Sequence, residues 1–199
     1  MNGSIVMNIK DVTFEPLLSA SRLSEIHKLT HDCFVESGLI RSTESKSLDI
    51  YSHLDCSERT IIITADLNDK MIATSSVTLD GEDGLQADTF FQQETDRLRK
   101  QYSFLGCVWR LCTAPIFRRN IQLLKKLIDH TIDTARQLGI EHCLHSCAAR
   151  HESAYKRLTQ AKTVARGVAQ YQKNGPTTDF VLMMSKVSEL GVLSKAGKN

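Results

Sequence analysis

The order of apolar patterns along this 199-residue chain predicts one α/β (α+β) domain: a mixed, mostly antiparallel sheet with helices on both faces. Three observations carry that expectation. Strand-like and helix-like segments follow one another as β-α-α-β-β-(insert)-β-α-β-α-β-β, which is not a regular βαβ alternation. One long amphipathic helix stands between two strand segments. No internal repeat and no linker rich in Pro, Gly or Ser divides the chain, so a single domain over residues 1–199 is expected.

Val12–Leu18 reads as a strand. Ser21–Glu36 reads as a helix because Leu23, Ile26, Thr30, Cys33 and Phe34 recur at helical spacing, with Gly38 as its stop. A second short helix is expected over Glu44–Leu54. Thr60–Ala65 and Met71–Leu79 are β-rich runs, and Asn68 and Asp69 supply a hairpin turn between them. An insertion at about 81–100, GEDGLQADTFFQQETDRLRK, starts as loop and turns helical after Asp88, a residue suited to capping. Phe104–Thr113 is a strand halted by Pro115. Arg119–Leu138 is the long helix, with a stripe of Ile121, Leu124, Leu127, Ile128, Ile132, Ala135 and Leu138 ahead of Gly139. His142–Ser146 is a short strand, Glu152–Thr159 a short helix, and Val164–Tyr171 and Phe180–Met184 the last strands. A flexible tail is expected from about residue 186.

Composition narrows the class. Hydrophobic residues make up 41% and charged residues 24%, which excludes a disordered or low-complexity chain. No apolar run approaches the ~20 residues of a membrane-spanning helix. The N-terminus shows no export signal. The six cysteines lack paired CxxC spacing, so reduced thiols and a cytoplasmic setting are expected. The net charge of +2 is unevenly spread: 8 of the 25 basic residues fall between Arg97 and Lys126 with no acidic residue among them, leaving 17 basic against 23 acidic elsewhere. Such a block suits an anionic partner, whether phosphate, acidic protein or nucleic acid; its alternative is a solvated face. Tyr102, Phe104, Trp109 and Phe117 fall on or beside a core strand rather than on a basic platform, which argues against nucleic acid.

Several constellations are candidates for chemistry. HCLHSC puts Cys143, His145 and Cys147 on one strand face, but its ends stand ~13 Å apart at ~3.3 Å per residue, too far to share one zinc ion unaided. His27 and His31 have i,i+4 spacing without the HExxH glutamate, and read as helix-flank residues. No metal is expected. Cys107 and Cys112 lie on an apolar strand and read as inert thiols. Glu94 follows Phe90 and Phe91 and precedes Leu98 by four residues, which sets its carboxylate on an apolar stripe; it is either a buried functional carboxylate or a snorkelling one at an exposed helix end. The turn into the long helix, FRRNIQL, carries Ile121 and Leu123 where coenzyme-A enzymes place glycines that let backbone amides meet a pyrophosphate.

A long helix between two strands, followed by a strand and a short helix, is the order of GNAT-type N-acyltransferases. With the glycine-free turn, the insertion DGLQADTFFQQETDRLRK and the strand WRLCTAP, the chain resembles the FeeM-type N-acyl amino acid synthases, long-chain N-acyltyrosine synthases related to acyl-homoserine lactone synthases. The resemblance covers roughly Leu29 to Ala169. It rests on a GLPxD-like loop (Gly84, Leu85, Gln86, Ala87, Asp88) with Leu98-Arg99, on Arg110-Leu111, and on His151, Tyr155 and Leu158 in an HxxxYxxL helix. The E-x-S/T-R strand motif of many relatives is replaced by Cys107-Val108-Trp109-Arg110, so its glutamate is missing. The arginine and Val-Phe pair of the lactone synthases reduces to Phe34.

The resemblance implies a GNAT-like fold whose parallel strands Phe104–Thr113 and His142–Ser146 splay apart. It also implies an acyltransferase taking a long-chain acyl group from the phosphopantetheine of an acyl carrier protein, with no bound cofactor of its own. The acceptor would be the amine of an amino acid, tyrosine above all. Glu94 is then the expected base, Tyr155 the donor to the leaving thiolate, and Arg110 the partner of the acceptor carboxylate or of Glu94. Phe34, Phe90, Phe91 and Trp109 would line the substrate site. Leu111, Cys112 and Thr113 would hold the pantetheine arm, and Arg118, Arg119, Lys125 and Lys126 would meet the carrier. The rivals are a coenzyme-A-dependent acetyltransferase of a small amine, an acyl-homoserine lactone synthase, and a non-catalytic acyl-binding module of the same fold.

Overall fold

The computed structural model describes residues 7–191. Among the described residues seven strands form one sheet in the order β1-β2-β3-β4-β5-β7-β6. They are β1 (Val12–Pro16), β2 (Thr60–Leu67), β3 (Lys70–Leu79), β4 (Leu105–Thr113), β5 (His142–Ala148), β6 (Lys162–Ala169) and β7 (Thr178–Lys186). Every pairing is antiparallel except β4 with β5. The β2–β3 hairpin turns at Asn68 and Asp69, both at positive φ (50° and 58°), which these short polar side chains tolerate.

Among the described residues five α-helices cover the sheet: α1 (Leu23–Glu36), α2 (Ser52–Asp55), α3 (Asp88–Gln101), α4 (Ile121–Gln137) and α5 (Glu152–Thr159). Strand alternation sorts them by face. Ile62 packs with Ile26 and Leu29 of α1, whereas its neighbour Ile63 packs with Leu123 and Leu127 of α4. Phe91 and Leu98 of α3 join Trp109, Leu144 and Leu182 on the α1 side, and Tyr155 of α5 packs on Val181 and Met183 on the other.

Several elements depart from expectation for local reasons. The helix expected over Glu44–Leu54 shrinks to the single turn of α2, because the preceding chain turns at Lys46 with positive φ (48°). The α4 helix starts at Ile121, since the Asn120 side chain caps it by accepting the Leu123 amide at 2.9 Å. Asp88 does not cap α3 in the expected way; its Oδ2 accepts the Leu85 amide at 2.7 Å, and Gly84, at φ 73°, leaves the space that carboxylate needs. The sixth strand begins and ends two residues earlier than its Val, Ala and Tyr suggested. Chain beyond Lys186, where a loose tail is expected, stays packed through Leu190: Leu190 sits against Ile128 and Ile132, and Arg136 of α4 donates to its carbonyl. The rest of that expected tail, 192–199, lies outside the described residues.

What positions the site is the failure of β4 and β5 to stay paired. Their parallel register runs only over Leu105–Cys107 against His142–Leu144. Beyond Cys107 the strands diverge, and the β5-facing edge of β4 has no strand partner among the described residues. A bulge adds to this: β4 places two residues, Arg110 and Leu111, opposite Ser75 of β3, and Arg110 takes a positive φ of 56°.

Candidate active site

The split opens a cavity of about 490 Å³ that passes from one face of the sheet to the other. Trp109 to Thr113 of β4 and Ser146 to Ala148 of β5 form its sides. On the α1 face its wall is apolar and aromatic, including Phe34, Leu48, Ile50, Tyr51, Tyr171 and Phe180. On the α4 face it reaches Leu124, Ile128, Tyr155 and Leu158. Tyr171 stands between Phe34 and Phe180, with ring centroids at 5.1 and 5.8 Å.

Arg110 is the charged residue buried in that wall. The bulge and the positive φ turn it off the regular pleat. Its guanidinium lies 4.2 Å over the Trp109 ring, and Trp109 is fixed in turn by its Nε1 donating to Thr78 Oγ1 at 2.9 Å. Arg110 Nη2 donates to both oxygens of Asp55, at 2.6 and 2.8 Å, in an ion pair whose side chains are 4% and 1% exposed. Its Nη1 is buried and has no partner, and Arg110 is the one cavity-lining residue among the described residues with such an atom. An unpaired guanidinium donor in a buried wall is costly unless something anionic meets it.

Asp55 comes from α2 and was not legible as a site residue; the sole hint was that a lone arginine in an apolar strand needs an acid somewhere. His27 of α1, read as a flank residue, reaches the same carboxylate at 2.9 Å and lies 3.8 Å from Asp49. His27, Asp49 and Asp55 have donor atoms within 4.8 Å of one another, a grouping of metal-ligand type. Here the cation on Asp55 is the guanidinium of Arg110, which engages both of its oxygens.

Gln86, from the GLQAD loop, ties the insertion to the wall. Its amide donates to Tyr51 Oη at 3.0 Å and its oxygen accepts from Ser146 Oγ at 2.9 Å. At the mouth, Arg118 lies 3.1 Å from Glu36, and Arg150 donates to the Ser37 carbonyl at 2.6 Å, so two arginines clasp the C-terminal end of α1.

The expected site residues therefore divide. Phe34, Trp109, Arg110, Leu111, Cys112, Thr113, Arg118 and Tyr155 all line the cavity. Phe90 and Phe91 do not. Phe90 backs the wall, 5.0 Å from Tyr171 and 5.7 Å from Phe180, and Phe91 is buried against Gly167 of β6. Glu94 is also off the wall. The buried stripe of α3 is Phe91, Thr95 and Leu98, Glu94 sits half-buried beside it, and Phe91 breaks the helical geometry on which the sequence spacing relied (φ −137°). Arg119 and Lys126 are exposed and Lys125 half-buried. The basic block is not one face, because Arg99 is bound by Asp80, Asp88 and Asp96, and Arg110 by Asp55.

Burial sets the proton states. Tyr155, stacked on His145 at 5.1 Å, has its phenol pushed well above the ordinary range by burial. Burial also raises Cys107, and pushes Cys143 and Cys147 up to about 12. Cys112 is raised by its hydrogen bond with Cys33 and by burial. His151 is lowered by burial and then by Arg150 and Arg118.

The family model described as N-acyl amino acid synthase FeeM matches residues 25–186. The chain belongs to this family. It is an acyltransferase of GNAT-like fold. Among solved structures it is similar to FeeM, an N-acyl amino acid synthase from uncultured soil microbes, at TM-score 0.74 and 14% identity, covering 94% of each chain. It is also similar to BjaI, a CoA-dependent acyl-homoserine lactone synthase, at TM-score 0.66 and 12% identity, covering 88% of this chain and 83% of that one. The ribosomal-protein-S18-alanine N-acetyltransferase from Escherichia coli gives TM-score 0.60 and 14% identity, covering 90% and 96%. No curated protein matches in sequence. No helix among the described residues is long and apolar enough to cross a membrane.

Proposed function

We propose that this enzyme joins a long-chain acyl group, delivered on the phosphopantetheine arm of an acyl carrier protein, to the α-amine of an amino acid, with tyrosine as the favoured acceptor. The observation that carries the acceptor is the unpartnered Arg110 Nη1 at an otherwise apolar and aromatic wall, a fitting counterpart for an α-carboxylate. Leu39, Leu48 and Ile50 on the same side suit an alkyl chain. For the donor, the Leu123 amide at the start of α4 is occupied by Asn120, and Ile121 stands exposed in the turn, so a coenzyme-A pyrophosphate finds a poor cradle there. Arg119 and Lys126 suit an acidic carrier. The enzyme then holds no cofactor of its own; the pantetheine arm arrives with the carrier and lies along Leu111, Cys112 and Thr113.

In this reading the neutral amine attacks the thioester carbonyl, the C–N bond forms, the C–S bond breaks, and the amine proton leaves as the thiolate takes one up. His151 lines the cavity one helical turn ahead of Tyr155, and its lowered proton affinity keeps it neutral near pH 7, fit to accept the amine proton. Tyr155 keeps its proton and donates a hydrogen bond to the departing sulfur. The raised thiols of Cys112 and Cys147 argue against an acyl-cysteine route through either of them, while Cys33, the third cavity thiol, is lowered by its hydrogen bond with Cys112.

The test compares lauroyl carrier protein with lauroyl-CoA, using tyrosine and tyramine as acceptors and mass spectrometry of the amide product. A preference of about tenfold or more in kcat/KM for the carrier and for tyrosine is expected. Equal use of both donors would overturn the carrier assignment, and equal use of both acceptors the carboxylate contact.

A further inference from the structure

The geometry points to Asp55 and His27 as positioning residues that set acceptor specificity by mounting Arg110. This rests on the reading that Arg110 meets the acceptor carboxylate, and extends it to two residues that line no part of the cavity.

Three elements converge on one carboxylate. Asp55, at the end of α2, is 1% exposed and holds Arg110 Nη2 through both oxygens. An ionised carboxylate can only accept, so the 2.9 Å contact requires His27 Nε2 to carry a hydrogen and donate it. His27 is itself anchored, because its carbonyl accepts the Leu48 amide at 3.1 Å, which fixes the loop ahead of α2 against α1. The guanidinium is thereby restrained on three sides: Asp55 at Nη2, the Trp109 ring beneath its plane, and the bulged backbone behind it.

The chemical consequence is division of labour within one guanidinium. Both Asp55 oxygens bind the same nitrogen, whereas a side-by-side pairing would consume two. Nη1 is therefore left for a second anion. Arg110 and Asp55 cancel each other's charge in the empty wall, which lowers the cost of holding a cation there before the acceptor arrives. Without the mount, the side chain gains rotamers, and its fork no longer stands ready for a carboxylate.

The experiment measures KM and kcat for tyrosine and for tyramine, which lacks the carboxylate, with lauroyl carrier protein in excess. Asp55→Asn should raise KM for tyrosine about tenfold while leaving kcat/KM for tyramine within about twofold. His27→Leu should move tyrosine the same way, roughly three- to fivefold, and His27→Gln, which restores an N–H donor, should recover most of that. If Asp55→Asn fails to fold, the contrast between His27→Leu and His27→Gln decides. Arg110→Lys separates the two ideas: if it erases the preference for tyrosine while the Asp55 and His27 variants keep it, the mount is wrong and the contact stands. If Arg110→Lys leaves the preference intact, the contact itself fails. Equal losses for both acceptors in the His27 variants would also overturn the mount, since they indicate a general disturbance of the wall.

Discussion

Arg99 and Arg110 lie eleven residues apart, both belong to the motifs that carry the family resemblance, and they end in opposite situations. Arg99 is saturated: its five N–H donors meet Asp80 twice, Asp88 twice and Asp96 once, at 2.7–3.0 Å. It closes the GLQAD loop onto α3 and stands away from the cavity. Arg110 spends one nitrogen on one carboxylate, lies on an aromatic ring and leaves another nitrogen unmet in the wall. The lesson is that a buried arginine's remaining donors, more than its burial, separate scaffold from site.

Replacing each arginine by lysine breaks the comparison most directly. At position 110 an ammonium on a shorter stem still neutralises Asp55 but cannot also reach a second carboxylate. We expect kcat/KM for tyrosine to fall about a hundredfold, equivalent to about 2.7 kcal/mol, with little change in thermal stability. Arg99→Lys should do the reverse. One ammonium cannot serve three carboxylates, so stability should fall by about 1–2 kcal/mol, while KM for tyrosine stays unchanged in the folded enzyme. Denaturant titration beside steady-state kinetics checks both. Matching losses in the two variants would dissolve the distinction.

The contrast also explains how far the sequence could be read. The succession of elements along the chain, the long α4 and the β2–β3 turn followed from periodicity and from Asn68-Asp69, because those signals are local. The pairing of Arg99 with Asp88 was not read from the sequence, although both residues stand in the quoted loop-and-helix motif. Asp55 was not legible, since its partner is 55 residues away and the α2 turn is too short to show a period. Tyr51, Gln86, Ser146 and Tyr171 were missed for the same reason: they converge only when β4 and β5 split. Glu94 was set on an apolar stripe by ideal helix spacing, which the backbone at Phe91 does not obey.

A second unmet buried atom sharpens the rule. His145 Nε2 has no partner among the described residues, yet His145 lies behind Tyr155 and does not line the cavity. Its cost should appear in stability alone. Burial holds the imidazole down at about 4, below its ordinary 6.5. The unfolded chain therefore binds the proton more readily, and stability contributed by this group is lost as pH falls from about 6.5 toward 4. By pH 5 the loss should be roughly 2 kcal/mol. His145→Gln should remove that increment from the difference between melts at pH 7.5 and pH 5. An unchanged difference would show that the imidazole finds a partner in solution.

The smallest effect is expected at Glu94, where sequence spacing made its strongest catalytic suggestion. Its carboxylate is half-buried on α3, beside the stripe of Phe91, Thr95 and Leu98, and no described hydrogen bond or ion pair engages it. It lines no part of the cavity that Arg110 and Tyr155 share. A general base must stand within hydrogen-bond reach of the proton it takes, directly or through one water, and its loss typically costs ~10²–10⁴-fold. Glu94→Gln keeps the shape and removes the proton acceptor. We expect kcat at pH 7 and KM for tyrosine to stay within about twofold, and stability within about 0.5 kcal/mol, as for other substitutions away from buried networks. A loss of a hundredfold in kcat, partly restored at high pH where the amine deprotonates unaided, would return Glu94 to the mechanism. It would also require α3 to move toward the split between β4 and β5 during turnover. Arg99 resists that movement, because it ties α3 to Asp80 at the end of β3, so the double variant Arg99→Lys with Glu94→Gln distinguishes a mobile base from a bystander. A bystander leaves kcat at the value of Arg99→Lys alone.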